Sequence, residues 1–171
     1  MINIIQINEP KESYLPELCN LLLDAVNNGA SLGFLSDLND KKAKSYWLHV
    51  FSSLSGGMVL WVAEEEGNIL GSVQLSMCQK ENGQHRAEVQ KLFVHSTARG
   101  KGISSLLMNT LEMYALDHYR TLLVLDTQTG SKAEQVYQHL GWINAGEIPD
   151  YASSPDGTLH PTSIYYKKLT A

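Results

Sequence analysis

The chain has 171 residues, 43% hydrophobic and 18% charged, with 13 Lys and Arg against 18 Asp and Glu for a formal net charge of −5. Such a length and composition point to one soluble globular domain over residues 1–171 and exclude a disordered or fibrous chain. The acidic balance argues against a nucleic-acid partner, because phosphate contacts need clustered cations, and no apolar run approaches the ~18 residues of a membrane span.

Ile2 to Ile7 is a short strand candidate, and Met1 to Gln6 lacks the basic n-region and cleavage site of a signal peptide. Asn8 is placed to cap a helix with Pro10 near its first turn. Tyr14, Leu15, Leu18, Leu21, Leu22, Ala25 and Val26 then recur at helical spacing until Asn27-Asn28-Gly29. A second amphipathic helix carries Ala43, Tyr46, Trp47, Val50, Phe51 and Leu54 and breaks at Gly56-Gly57. The period then changes to two. Met58 to Glu65, Ile69 to Met77 and about Ala87 to His95 read as an antiparallel meander, turning at Gly67-Asn68 and Glu81-Asn82-Gly83.

The loop Ser96 to Lys101 leads into a helix with Ile103, Leu106, Leu107, Leu111, Tyr114 and Ala115 on its apolar face. Leu122 to Leu125 is a continuous apolar run that predicts a strand buried on both faces. Ser131 to Glu134 has the form of a capping box for a short helix with Ala133, Val136, Tyr137 and Leu140, closed by Gly141. Trp142 to Tyr151 and Leu159 to Lys168 are two last strands around Pro155-Asp156-Gly157. The expected fold is α/β (α+β): a mixed, mostly antiparallel seven-stranded sheet with a parallel central pair, joined by a right-handed crossover, and helices on both faces.

The segment Arg99-Gly100-Lys101-Gly102-Ile103 carries the strongest chemical signal. Its glycines open backbone conformations closed to other residues, so successive N–H groups can converge on one point. The helix that follows adds partial positive charge there, and Arg99 and Lys101 add full charges. An anion cradle and a plain tight turn both fit the four residues. The spacing matches neither the P-loop of nucleotide hydrolysis nor a dinucleotide fingerprint. A position after one strand and before its parallel neighbour favours the cradle, because open α/β sheets bind ligands there.

At these residues the chain resembles the GNAT superfamily of acyl-CoA-dependent N-acetyltransferases, whose acyl-CoA N-acyltransferase fold matches the element order. The likeness is densest from Val89 to Leu140: Leu92-Phe93-Val94, then Arg99 to Ile103, then Ala133 to Tyr137 followed by Leu140-Gly141-Trp142. Thr97 stands where the family's loop carries Gln or Arg, and Ser104 where a further glycine is frequent. A narrower resemblance, to the branch of tabtoxin-resistance acetyltransferases, rests on three stretches. They are Ala87 to Leu92, Leu123 to Thr127, and Gly146 to Ala152 with the later Pro155-Asp156-Gly157.

The resemblance implies acetyl-CoA as co-substrate, transfer of its acetyl group to a primary amine, and roles for particular residues. Leu92, Phe93, Val94, Arg99, Gly100, Lys101, Gly102, Ile103, Ser104, Thr127 and Gln128 are the implied cofactor contacts, with a backbone N–H of Leu92 to Val94 as oxyanion donor. Tyr137 matches the position of the acid that protonates the leaving thiolate, although on its helical stripe it also reads as core. Glu88 and Asp126 are implied as base or amine-binding carboxylates; each also reads as an ordinary strand-end residue. Ser131 is a helix cap or a ligand.

Trp47, Phe34, Tyr151 and Tyr165 are candidate acceptor walls. Six histidines without ligand spacing give no metal expectation, His95 reads as a loop residue, and Cys19 and Cys78 read as free thiols of a cytoplasmic protein. The expected activity is acetylation of a small-molecule amine, as in detoxification, by a monomer or homodimer. An acyl-CoA-binding sensor and a peptide or protein N-acetyltransferase are the alternatives.

Overall fold

Residues 1–171 are described by a computed structural model. Strands β1 (Asn3–Ile7), β2 (Met58–Glu65), β3 (Asn68–Met77), β4 (Arg86–Val94), β5 (Leu122–Gln128), β6 (Ile143–Ser153) and β7 (Leu159–Lys168) form one sheet in the order β1-β2-β3-β4-β5-β7-β6. Every neighbouring pair is antiparallel except β4 and β5, which run parallel. The expected mixed seven-stranded sheet is therefore the one that forms.

Its central strands are apolar on both faces because helices cover both. Along β2, Val59, Trp61 and Ala63 face one core and Leu60 and Val62 the other, the two-residue period of a pleated strand. The first core takes in α3 (Ile103–Asp117) and Tyr137 of α4 (Lys132–His139). The second takes in α1 (Leu15–Asn27) and α2 (Asp40–Ser53). Trp47 of α2 is fully buried there, and its indole N–H donates to the Leu18 carbonyl at 2.8 Å, so the large ring is buried without an orphaned donor.

Two local expectations need correction. Asn8 caps no helix: its side-chain oxygen accepts from Gln6 Nε2 at 2.7 Å, and Glu12–Tyr14 form a single 3-10 turn first. α1 starts at Leu15 with Pro16, not Pro10, in its first turn, where the missing N–H removes no helical bond. β5 extends past Leu125 to Gln128, and only Leu123 and Leu125 of its apolar run are buried. Leu122 and Val124 are half-buried, on the face turned away from the α3 core that takes Leu123 and Leu125.

β4 contains a further irregularity. Ala87 and Val89 face the α3 core, but two rungs later Phe93 faces the α1–α2 core and Leu92 and Val94 pack toward α3. The parity reverses because the register with β3 slips between Ser72↔Phe93 and Gln74↔Gln90, leaving Lys91 and Leu92 opposite Val73 alone. This is a β-bulge, and Lys91 adopts φ +54 within it.

Candidate active site

β4 and β5 pair only through Arg86↔Leu122, Ala87↔Leu123 and Glu88↔Val124. Beyond that rung β4 runs on to Val94 and β5 to Gln128, each still paired on its outer side, to β3 and β7, but not to the other. The two inner edges thus diverge and carry N–H and C=O groups with no sheet partner. Such groups need partners when covered. A cleft of about 1150 Å³ fills the wedge.

At one end of the cleft lie Arg99, Gly100, Gly102 and the first turn of α3. Gly100 has φ +78 and Gly102 φ +75. A Cβ on either would meet nothing within 4 Å, so the glycines are required by backbone conformation and not by space. No side chain caps α3, which leaves its first N–H groups free to face a ligand. Lys101, expected as a contact, is exposed and lies outside the cleft wall. In a nest of this kind the N–H groups turn inward, and the side chain between the two glycines turns out.

Leu92, Phe93, Val94, Ile103, Ser104, Thr127 and Gln128 all line the wedge. The side-chain oxygen of Gln128 is buried with no protein partner. Ser131 also borders the cleft, and its hydroxyl accepts from Glu134 N at 3.2 Å as the cap of α4.

Glu88, Asp126 and Tyr137 meet at the same opening. Glu88 stands on the last paired rung, and Asp126 two residues beyond its partner Val124. Both alternate with side chains buried against α3, so both lie on the α1–α2 face of the sheet. Tyr137 comes from α4 on the other face, its ring 6.0 Å from that of Trp142. Burial first, and the charge of Asp126 second, push its phenol well above the usual tyrosine pKa, so it holds its proton across the neutral range. Asp126 accepts from Thr162 Oγ1 at 3.3 Å.

Lys91 was not anticipated from the sequence. Its ammonium donates to the Leu32 carbonyl at 2.6 Å and lies 5.7 Å from the Phe34 ring centroid. Burial lowers its pKa, opposed by the charges of Asp126 and Glu88. A partial signal existed in the sequence: apolar positions alternate at 87 and 89 and then run unbroken from 92 to 94, a break in the two-residue period where the bulge falls. The segment 28–33, which also walls the cleft, offered none.

Of the expected acceptor walls, Tyr151 lines the cleft. Trp47 and Tyr165 are instead fully buried in the two cores, the latter donating its hydroxyl to Glu134 Oε1 at 2.8 Å. Phe34 packs edge-on against Tyr46 at 5.1 Å. The wall segment after α1 and the β6–β7 turn are joined by a backbone hydrogen bond, Ser36 N to Pro155 O, at 2.8 Å.

The model of the acetyltransferase (GNAT) family matches residues 22–142, and the chain belongs to that family. Among curated proteins it is similar to N-acetylaspartate synthetase of Danio rerio, 30% identical over 96 residues, covering 56% of this chain and 33% of that protein. The match thus spans about a third of that relative's length. Among solved structures, an N-acetyltransferase from Staphylococcus aureus Mu50 superposes with a TM-score of 0.80 at 20% identity, covering 98% of this chain and 99% of the other. The yncA protein of Salmonella typhimurium, solved with its cofactor acetyl-CoA, superposes at 0.77 and 15% identity, covering 99% and 95%. No helix is long and apolar enough to cross a membrane.

Proposed function

We propose that this chain is an acetyl-CoA-dependent N-acetyltransferase that modifies the primary amine of a small molecule. The small acceptor is the part that rests on a single observation. The Ser36–Pro155 backbone bond joins the two segments that wall the acceptor side, where a peptide substrate needs an open groove. The resemblance of three stretches to the tabtoxin-resistance branch supports a detoxifying role, and the bridged acceptor side agrees with a compact amine.

The residues fit the donor. The nest at Gly100 and Gly102 suits a pyrophosphate. The divergent edges of β4 and β5 suit the amides of a pantetheine arm, which would lie between them as a strand does. A backbone N–H at the bulge around Leu92 would face the thioester oxygen. Glu88 and Asp126 would receive the acceptor ammonium and take its proton. The amine nitrogen then bonds to the carbonyl carbon, the C–S bond breaks, the Tyr137 phenol gives its proton to the departing thiolate, and the second proton shed by the new amide nitrogen restores the phenol. Tyr137 and the carboxylates lie on opposite faces of the sheet, which separates leaving-group protonation from amine deprotonation.

Release of free CoA from acetyl-CoA, followed across small primary amines, amino acids and peptides, tests the reading. Turnover is expected with small amines, and with peptides at rates at least tenfold lower. Faster peptide acetylation refutes the small acceptor. Tight acetyl-CoA binding with no turnover across the panel makes the chain a sensor.

A further inference from the structure

We propose that Asp24 is a positioning residue for the donor loop: from the last turn of α1 it anchors the segment leading into Gly100 and Gly102 and thereby sets how well the loop grips a pyrophosphate. The inference rests on the reading of that loop as a pyrophosphate cradle.

Asp24 makes a two-pronged contact with Ser96, the first residue after the β4–loop junction at His95. Its Oδ2 accepts from Ser96 N at 2.7 Å, and its Oδ1 from Ser96 Oγ at 2.6 Å. The carboxylate is 15% exposed, so these charge-assisted bonds are largely shielded from water. Asn28 braces it from the same helix end, its Nδ2 donating to the Asp24 carbonyl at 2.7 Å and to Oδ1 at 3.3 Å. The His95 ring lies 3.7 Å from Oδ1, and its other nitrogen pairs with Thr97 Oγ1 at 2.9 Å. Asp24, Ser96, His95 and Thr97 thus form one network at the foot of the loop. Thr97 occupies the position of the family's Gln or Arg, and its hydroxyl is engaged with His95 and not with the cradle. In this chain the loop is supported from α1.

Charge and geometry pull in opposite directions here. A carboxylate behind an anion site disfavours the anion by Coulomb repulsion. Two bonds that fix the loop's entry favour it by preorganisation. One substitution shows which of the two prevails. Asp24→Asn keeps the shape, removes the charge and leaves a single side-chain acceptor where Ser96 N, Ser96 Oγ and Asn28 Nδ2 donate to two.

The test compares acetyl-CoA with S-acetylpantetheine, which has the same reacting thioester and no pyrophosphate. In Asp24→Asn, kcat/KM for acetyl-CoA is expected to fall about tenfold, the loss of roughly one charge-assisted hydrogen bond. For S-acetylpantetheine it stays within about twofold, so the wild-type preference for the full donor shrinks. Ser96→Ala, which retains the N–H bond to Asp24, gives a smaller fall of about threefold with the same donor dependence. It carries the test should Asp24→Asn fold poorly. Unchanged or improved use of acetyl-CoA overturns the proposal, because charge then outweighs positioning. Equal losses with both donors also overturn it, because Asp24 then only supports the fold. If the wild-type protein shows no preference for acetyl-CoA over S-acetylpantetheine, the cradle reading itself fails and the proposal falls with it.

Discussion

Replacing Tyr137 with Phe removes one oxygen from the cleft and leaves the ring against Trp142. Burial and the Asp126 charge, with no hydrogen bond, set the phenol's raised pKa. Removing the hydroxyl therefore strands no partner, and folded stability is expected to stay within about 0.5 kcal/mol of wild type. The raised pKa also bounds the catalytic effect. A thiolate leaving group has a conjugate acid near ~8.5, below that of the phenol, so proton transfer stays uphill even once the C–S bond has broken. The contribution then lies at the low end for general acids, about 100-fold in kcat, or about 2.7 kcal/mol. Steady-state release of free CoA at saturating amine measures the rate, and calorimetry measures acetyl-CoA affinity, expected within twofold. Turnover within threefold of wild type refutes the acid role. Loss of acetyl-CoA binding together with turnover refutes it differently, by making Tyr137 a packing residue.

Glu88→Gln is expected to lower kcat and to change the acidic limb of the pH–rate profile; a profile of unchanged shape removes Glu88 as base. At Gly71 on β3, a Cβ would meet Ile103 Cγ2 at 3.0 Å, Phe93 O at 3.2 Å and Leu107 Cδ1 at 3.3 Å. Gly71→Val is expected to cost about 1–3 kcal/mol in denaturant unfolding and, because Ile103 starts α3, to weaken acetyl-CoA binding as well. Alkaline stability follows from two buried phenols: burial pushes Tyr46 up to about 12, and Tyr137 is raised as well. Above about pH 10 the unfolded chain releases protons that the folded one keeps, so stability falls with rising pH by up to about 1.4 kcal/mol per pH unit for each tyrosine. Urea unfolding from pH 8 to 11 should show this slope, shallower in Tyr46→Phe; equal slopes would contradict it.

Much of the fold was legible because its determinants are local. Val59 to Ala63 alternate over two apolar faces, Ser131 to Glu134 write a cap, and Gly100 and Gly102 mark backbone that other residues avoid. From these follow seven strands, four helices and the position of the glycine loop before α3. Lys101 shows the limit even there, since the direction of a side chain in a nest depends on the φ values of its neighbours. Asn8 and Pro10 carried a cap-and-proline signal that Pro16 satisfied instead, because a 3-10 turn delayed the helix and nothing in the local pattern excludes it.

The rest of the site depended on tertiary structure. Glu88, Asp126 and Tyr137 come from three elements, and only the parting of β4 from β5 after a three-rung ladder brings them to one opening. Trp47 and Tyr165 looked like acceptor walls because aromatic residues suit both cores and pockets. Their indole and phenol donors met Leu18 and Glu134 and settled them in the cores. Asp24 and Ser96 lie 72 residues apart and carry no shared pattern. By itself the sequence determined the strand and helix periods and the loop chemistry, which are set by neighbours along the chain. Only the tertiary structure decided where the sheet opens, which carboxylates border the gap and what holds the loop in place, because those depend on packing between segments far apart in sequence.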